Sequence, residues 1–160
     1  MKKIELKTSA TVYNNISELS TADKILMDKA IEARAKAYAP YSKFSVGAAL
    51  LLDNNEIVLG NNQENAAYPS GMCAERVAVW RAGSEYPNVK ILKLAISASS
   101  TLTKVDKPAG PCGACRQALL EYEVKQKQAF PILLMGEVGE VIEIESLVSL
   151  LPFSFDSSYL

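Results

Sequence analysis

Hydrophobic positions change period several times along the chain, and each change marks an element. In STADKILMDKAIEARAKAYAP, residues 20–40, apolar side chains fall at Ala22, Ile25, Leu26, Ala30, Ala33 and Ala37, the spacing of a helix with one buried face. Ser20 followed three residues later by Asp23 is a variant of the capping box, and Pro40 ends the run. FSVGAALLL, residues 44–52, is almost continuously apolar. The turn DNN and a second extended stretch, EIVLGNN at 56–62, follow it, which predicts a hairpin. A helix is predicted over 72–83, with Val77, Ala78, Val79 and Trp80 on its buried side. Next come the strand ILKLAISAS at 91–99, a loop carrying Pro108 and Pro111, a helix from Gly113 to about Glu123, and the strand FPILLM at 130–135. Residues 1–18 are weakly patterned and read as an extension or an edge strand.

Strands that alternate with helices and are apolar throughout belong in the middle of a sheet covered on both faces. The fold class expected is therefore α/β, a three-layer α/β/α sandwich. Its sheet should be mixed and mostly five-stranded, antiparallel at its start and parallel later. At 160 residues, 49% of them apolar, the chain suffices for one substantial core, so a single domain over 1–160 is expected, with 1–18 as a possible N-terminal extension.

Charge narrows the partners. The formal net charge is −1, and no basic run extends beyond Lys2 and Lys3. That gives no footprint for a nucleic-acid backbone or an acidic membrane surface. No apolar run approaches the roughly 20 residues of a membrane span, and no basic-then-apolar leader follows Met1. The expectation is a cytoplasmic protein with a small-molecule substrate, no nucleic acid and no membrane partner.

The cysteines carry the chemistry. There are three, with no histidine anywhere in the chain, and an odd count argues against a closed disulfide framework. PAGPCGACRQALLEY places Cys112 and Cys115 in a C-x-x-C whose preceding Pro111 suits the first position of a helix. SGMCAERVAVWRAG puts Cys73 at a second helix start. Free N–H groups and the helix dipole lower a thiol pKa there. Two helix N-termini that follow strands of one sheet tend to converge at the strands' carboxyl ends, so three thiolates could meet. Three protein ligands is the count of a catalytic zinc, which keeps its fourth position for water. Without histidine, a fourth protein ligand would have to be a carboxylate. Glu75, two residues past Cys73, is better placed beside the open position than in it and reads as a general base. Taken alone, a C-x-x-C could be a redox pair and Cys73 a small buried hydrophobe. The joint pattern, C-x-E and then P-C-x-x-C about forty residues on, is far more specific.

That pattern, together with YSKFSVGAAL, NNQENAAYPSGMCAERVAV and LLPFSF, resembles the small cytidine deaminases with three-cysteine zinc sites, from about residue 20 to 155. Gln63, Met72, the loop TLTKVDKPAG and the extended N-terminus depart from the family pattern. The resemblance implies one zinc per subunit on Cys73, Cys112 and Cys115, with Glu75 shuttling protons while water attacks carbon 4 of the pyrimidine. It implies that the backbone N–H of Ala74 binds the pyrimidine carbonyl, that Asn62 and Glu64 bind ribose hydroxyls, and that Phe44 faces the base. Arg76 would hydrogen-bond the thiolates, with Arg116 as the alternative and otherwise a surface arginine. Phe155, with Tyr68 close by, would reach a neighbouring subunit's site in a homotetramer, Phe153 being the rival if the tail is shifted by two. The function implied is deamination of cytidine and deoxycytidine in pyrimidine salvage. A modified nucleoside, a base within RNA, or a non-catalytic zinc-stabilised module are the competing readings.

Overall fold

A computed structural model describes residues 1–160. In chain order the elements are β1 (Thr11–Tyr13), α1 (Thr21–Arg34), β2 (Phe44–Leu52), β3 (Ile57–Asn61), α2 (Ala74–Glu85), β4 (Ile91–Ser100), α3 (Gly113–Gln126), β5 (Ile132–Met135), β6 (Val141–Ile144) and α4 (Leu147–Leu150). The strands form one sheet in the order β1-β6-β5-β4-β2-β3. Alternate residues of the central strands point to opposite faces, and two cores result. Leu50, Leu94, Ile96, Ile132 and Leu134 pack with Ala78, Val79 and Leu119 of α2 and α3. Ala49, Ala95, Leu133 and Met135 pack with Leu26, Met27 and Ala30 of α1. The three layers are those expected.

Two glycines let helices lie close on the sheet. A Cβ at Gly47 would come within 2.0 Å of the Ala30 carbonyl, and one at Gly60 within 2.3 Å of the Ala74 carbonyl. The second contact seats the first turn of α2 directly on β3.

The sheet has six strands, not five, and only β4 with β5 is parallel. Parallel pairing is thus a single junction, flanked on both sides by antiparallel strands. β6 is four residues long with Glu143 interrupting its apolar residues, and β1 is three residues long, so neither has the long apolar run of the central strands. They are held partly by charge. Lys93 Nζ lies 2.7 Å from Asp23 and 2.8 Å from Glu143, and Tyr13 Oη donates to Glu143 at 2.8 Å.

Trp80 is a second correction, because it is 45% exposed. The buried residues of α2 are Ala74, Glu75, Ala78, Val79 and Ala82, a stripe that leaves Trp80 on its outer flank. Likewise α1 buries Leu26, Met27, Ala30 and Ala33, with Ile25 exposed, and ends at Arg34.

Candidate active site

Cys73 is the N-cap of α2 and Cys112 the N-cap of α3, both with extended backbone, and neither side chain caps its helix. A thiol is a weak acceptor beside serine or aspartate, so these sulfurs are left available. Pro111 is not at the first helical position but buried one residue before the cap. Cys115 is the third residue of α3. N-cap and third residue are the positions whose side chains meet in a capping box, and the C-x-x-C spacing uses that geometry, with Cys112 Sγ and Cys115 Sγ 3.5 Å apart. The same spacing relates Cys73 to Arg76, whose Nη2 lies 3.6 Å from Cys73 Sγ. The two helix starts converge, with Cys73 Sγ 3.9 Å from Cys112 Sγ and all three sulfurs within 4.8 Å of one another.

This donor set fits zinc. A tetrahedron with Zn–S bonds of about 2.3 Å has sulfurs about 3.8 Å apart, close to the spacings found. The three sulfurs alone form the group, which leaves one tetrahedral position to a water or substrate atom.

The electrostatics agree with that use. Contact with the Cys115 thiol, aided by Arg76, lowers Cys73 to about 5, whereas the same contact and burial push Cys115 up. Negative charge therefore settles on Cys73, where Arg76 answers it. Arg76 also lies over the Trp80 ring at 5.9 Å, and its buried Nε has no protein partner. Glu75 is 5% exposed, and burial, reinforced by the Cys73 charge, pushes its carboxyl up. A carboxyl raised in this way holds its proton more tightly than an ordinary carboxyl does. The N–H of Ala74 belongs to the first turn of α2, ahead of the first helical bond from Val77 N to the Cys73 carbonyl.

A cleft of about 420 Å³ opens beside Cys73, with Tyr41, Asn62, Glu64, Tyr68, Met72 and Arg76 among its walls. Asn62 Oδ1 accepts from Val46 N at 2.7 Å and its Nδ2 donates to the Phe44 carbonyl at 2.9 Å. One amide hydrogen remains for a ligand. Glu64 accepts from the backbone N–H of Tyr41 at 2.9 Å and of Ser42 at 3.2 Å and from the Ser42 hydroxyl. The Ser42 hydroxyl is the main cause that holds this carboxylate below the usual range. Phe44 starts β2, half-buried, outside the cleft wall.

Phe155 stands apart from its own chain's cleft. It is 58% exposed and stacks on Tyr159 with centroids 5.4 Å apart, while Phe153 is 83% exposed with a positive φ of 58°. Tyr68 is 76% exposed and tilts against Tyr41 at 6.1 Å. Arg116 is not a surface arginine. Its Nε donates to the Pro111 carbonyl at 2.8 Å and its Nη1 to the Leu150 carbonyl at 2.9 Å. Sequence reasoning missed Tyr41 and Ser42, the turn that Glu64 holds. The signal was the A-P-Y-S stretch at 39–42, between the first helix and the hairpin, where a proline enforces a turn.

Comparison with known proteins agrees with this geometry. The model of the cytidine and deoxycytidylate deaminase zinc-binding region matches residues 20–130. A cytidine deaminase of Halalkalibacterium halodurans is 37% identical over 132 residues, 82% of this chain and 92% of that protein. One from Sporosarcina psychrophila is 39% identical over 137 residues, 84% of this chain and 93% of that protein. The crystal structure of cytidine deaminase from Burkholderia pseudomallei superposes with a TM-score of 0.71 at 34% identity, covering 86% of this chain and all of that one.

Proposed function

The chain belongs to the cytidine and deoxycytidylate deaminase family, and we propose that it hydrolyses cytidine and deoxycytidine to uridine and deoxyuridine with release of ammonia, a step of pyrimidine salvage. The observation that carries the reading is the buried Glu75 carboxyl at the start of α2, two residues from one of three sulfurs that lie within 4.8 Å. Zinc, when bound by Cys73, Cys112 and Cys115, supplies Lewis-acid activation of a water molecule. Glu75 takes one proton of that water and delivers it to ring nitrogen 3 as the water oxygen bonds to carbon 4. It then takes the proton of the resulting hydroxyl and gives it to the amine, so that the carbon–nitrogen bond breaks, ammonia leaves and the carbon 4 carbonyl forms. Burial suits it to this task, because its carboxyl must hold a proton in mid-reaction and release it again. Ala74 N–H, at the positive end of α2, binds the pyrimidine carbonyl oxygen. Arg76 offsets the charge of the thiolates.

Asn62 and Glu64 bind the sugar hydroxyls. Both are already braced by backbone bonds, so they meet a ligand with little loss of side-chain freedom. Phe44 and Phe155 face the pyrimidine, Phe155 from a neighbouring copy with Tyr68 beside it. The exposure of Phe155, Tyr68 and Trp80 supports a homotetramer that covers them.

The test is the fall in ultraviolet absorbance as cytidine becomes uridine and deoxycytidine becomes deoxyuridine, with adenosine, cytosine and deoxycytidine 5′-phosphate run alongside. Turnover of cytidine and deoxycytidine alone is expected. Turnover of adenosine, or of no substrate by a protein that carries zinc, would overturn the proposal.

A further inference from the structure

The helix that carries two of the three sulfurs also grips the C-terminal tail. Arg116, directly after Cys115, reaches back to the Pro111 carbonyl at 2.8 Å and across to the carbonyl of Leu150, the last residue of α4, at 2.9 Å. Gln117 Nε2 donates to the Phe155 carbonyl at 2.9 Å. Two turns along α3, the carboxylate of Glu123, 6% exposed, accepts from Leu147 N at 2.7 Å. Three α3 side chains thus hold the main chain of the segment from Leu147 to Phe155.

We propose that Arg116 is a positioning residue that couples the metal loop, Pro111–Cys112, to the C-terminal tail, so that metal occupancy and tail docking strengthen each other. The inference rests on the metal site of the preceding section and is independent of which substrate is turned over.

The guanidinium makes no ion pair; both of its bonds go to main-chain carbonyls. Nε and Nη1 lie in one rigid plane, so the two carbonyls they hold cannot shift independently. A charged donor also makes a stronger bond to a carbonyl than a neutral one does. The Pro111 carbonyl belongs to the peptide that leads into Cys112. Fixing that peptide fixes the backbone from which the Cys112 sulfur projects, and Cys112 is the exposed member of the trio, with no side-chain cap bond to hold it. A metal that draws Cys112 toward Cys73 and Cys115 sets the Pro111 carbonyl and, through Arg116, the end of α4. Docking of α4 sets Cys112 by the same route. Linkage makes the effect reciprocal, since whatever factor the metal adds to tail docking, the docked tail adds to metal affinity.

Hydrogen exchange and chelator competition test this without reference to turnover. Removing zinc from the whole chain with a chelator is expected to speed exchange at Leu147–Leu151 about tenfold, a mid-range coupling, while the β4 amides serve as the internal reference and stay slow. In Arg116→Gln the tail should exchange fast even with zinc, and zinc affinity, read by competition with a chromogenic chelator, should fall about fivefold to tenfold. Arg116→Lys keeps the charge but cannot span both carbonyls and should behave like Arg116→Gln. A chain ending at Ser149, which lacks the Leu150 carbonyl but keeps Leu147 in the core, approaches from the other side and replaces Arg116→Gln should that variant fail to fold. It should bind one zinc, several-fold more weakly.

Unchanged tail exchange on zinc removal overturns the coupling, as does full wild-type behaviour of Arg116→Lys, or unchanged zinc affinity in both Arg116→Gln and the shortened chain. A rise in β4 exchange that matches the tail marks global unfolding and overturns it too. Coupling found in a chain that deaminates nothing would sink the proposed function and leave this inference standing, whereas a chain that binds no zinc sinks both.

Discussion

Glu75 is a carboxyl that the fold keeps from water, 5% exposed and raised by burial. Its neighbours are the Cys73 charge, which raises it further, and Arg76, which lowers it. Glu75→Gln preserves the shape and the zinc ligands and abolishes proton transfer. Zinc content should stay at one per chain while kcat falls toward the upper end of the range of about 10²- to 10⁴-fold, since one group serves several transfers. Metal analysis and initial rates on the same preparation check this, and near-normal turnover would remove Glu75 from the mechanism. These residues were legible in the sequence because their geometry is local. N-cap and third-residue positions face each other in any helix, so the C-x-x-C pair could be placed by spacing, whereas its use with Cys73 needed the joint pattern and the role of Arg76 came from the family resemblance. The brace on Glu64 was not legible, because it joins residues 22 and 23 positions apart across a turn whose conformation only the fold decides.

At the scale of elements, the interior strands and three long helices followed from periodicity, and the margins of the sheet did not. β1 buries little, β6 adds Val141 and Ile144 to the two cores, and beyond their antiparallel ladder the two strands are tied by the cluster of Tyr13, Asp23, Lys93 and Glu143 contributed by four separate elements. A pattern spread over 130 residues of chain has no periodic signature. Tyr13→Phe removes one hydrogen bond to a carboxylate near the surface and should cost about 1 kcal/mol, read as a lower urea midpoint with an unchanged slope. A shift within error would mean that Glu143 finds water as readily as the tyrosine. Glu123 makes a different prediction. Burial raises its carboxyl above the unfolded value of 4.5, so the folded protein holds that proton more tightly than the unfolded chain. The resulting stability is full below pH 4.5 and is lost as pH rises through the folded value. Glu123→Gln keeps an acceptor for Leu147 N and has no proton to lose. Its stability relative to wild type should therefore rise between pH 4 and pH 7, and parallel urea titrations with equal slopes against pH would refute this.

At the scale of the molecule, the tail decides whether each cleft is complete within one chain. Phe155 is exposed, stacks on Tyr159 and forms no part of its own cleft wall, yet Gln117 fixes its carbonyl, so the ring is held out rather than left loose. On the function proposed above, the ring is held there to meet a group of a neighbouring copy. If that is the pyrimidine in a neighbour's site, Phe155→Ala loses one stacking face. Stacking on an aromatic is worth about 1 to 3 kcal/mol, which is roughly a ten- to hundredfold rise in KM for cytidine. The fold and zinc content should be untouched, because the side chain buries little within its own subunit. Phe153→Ala is the control for register, since Phe153 lies two residues away with a left-handed backbone and 83% exposure. It should leave KM alone. Kinetics of both variants, with size-exclusion chromatography of each, separate the outcomes. A tetramer with raised KM only in Phe155→Ala supports shared sites, an effect confined to Phe153→Ala moves the register by two, and a monomer that turns over cytidine with unchanged KM in both variants ends the idea of a shared site.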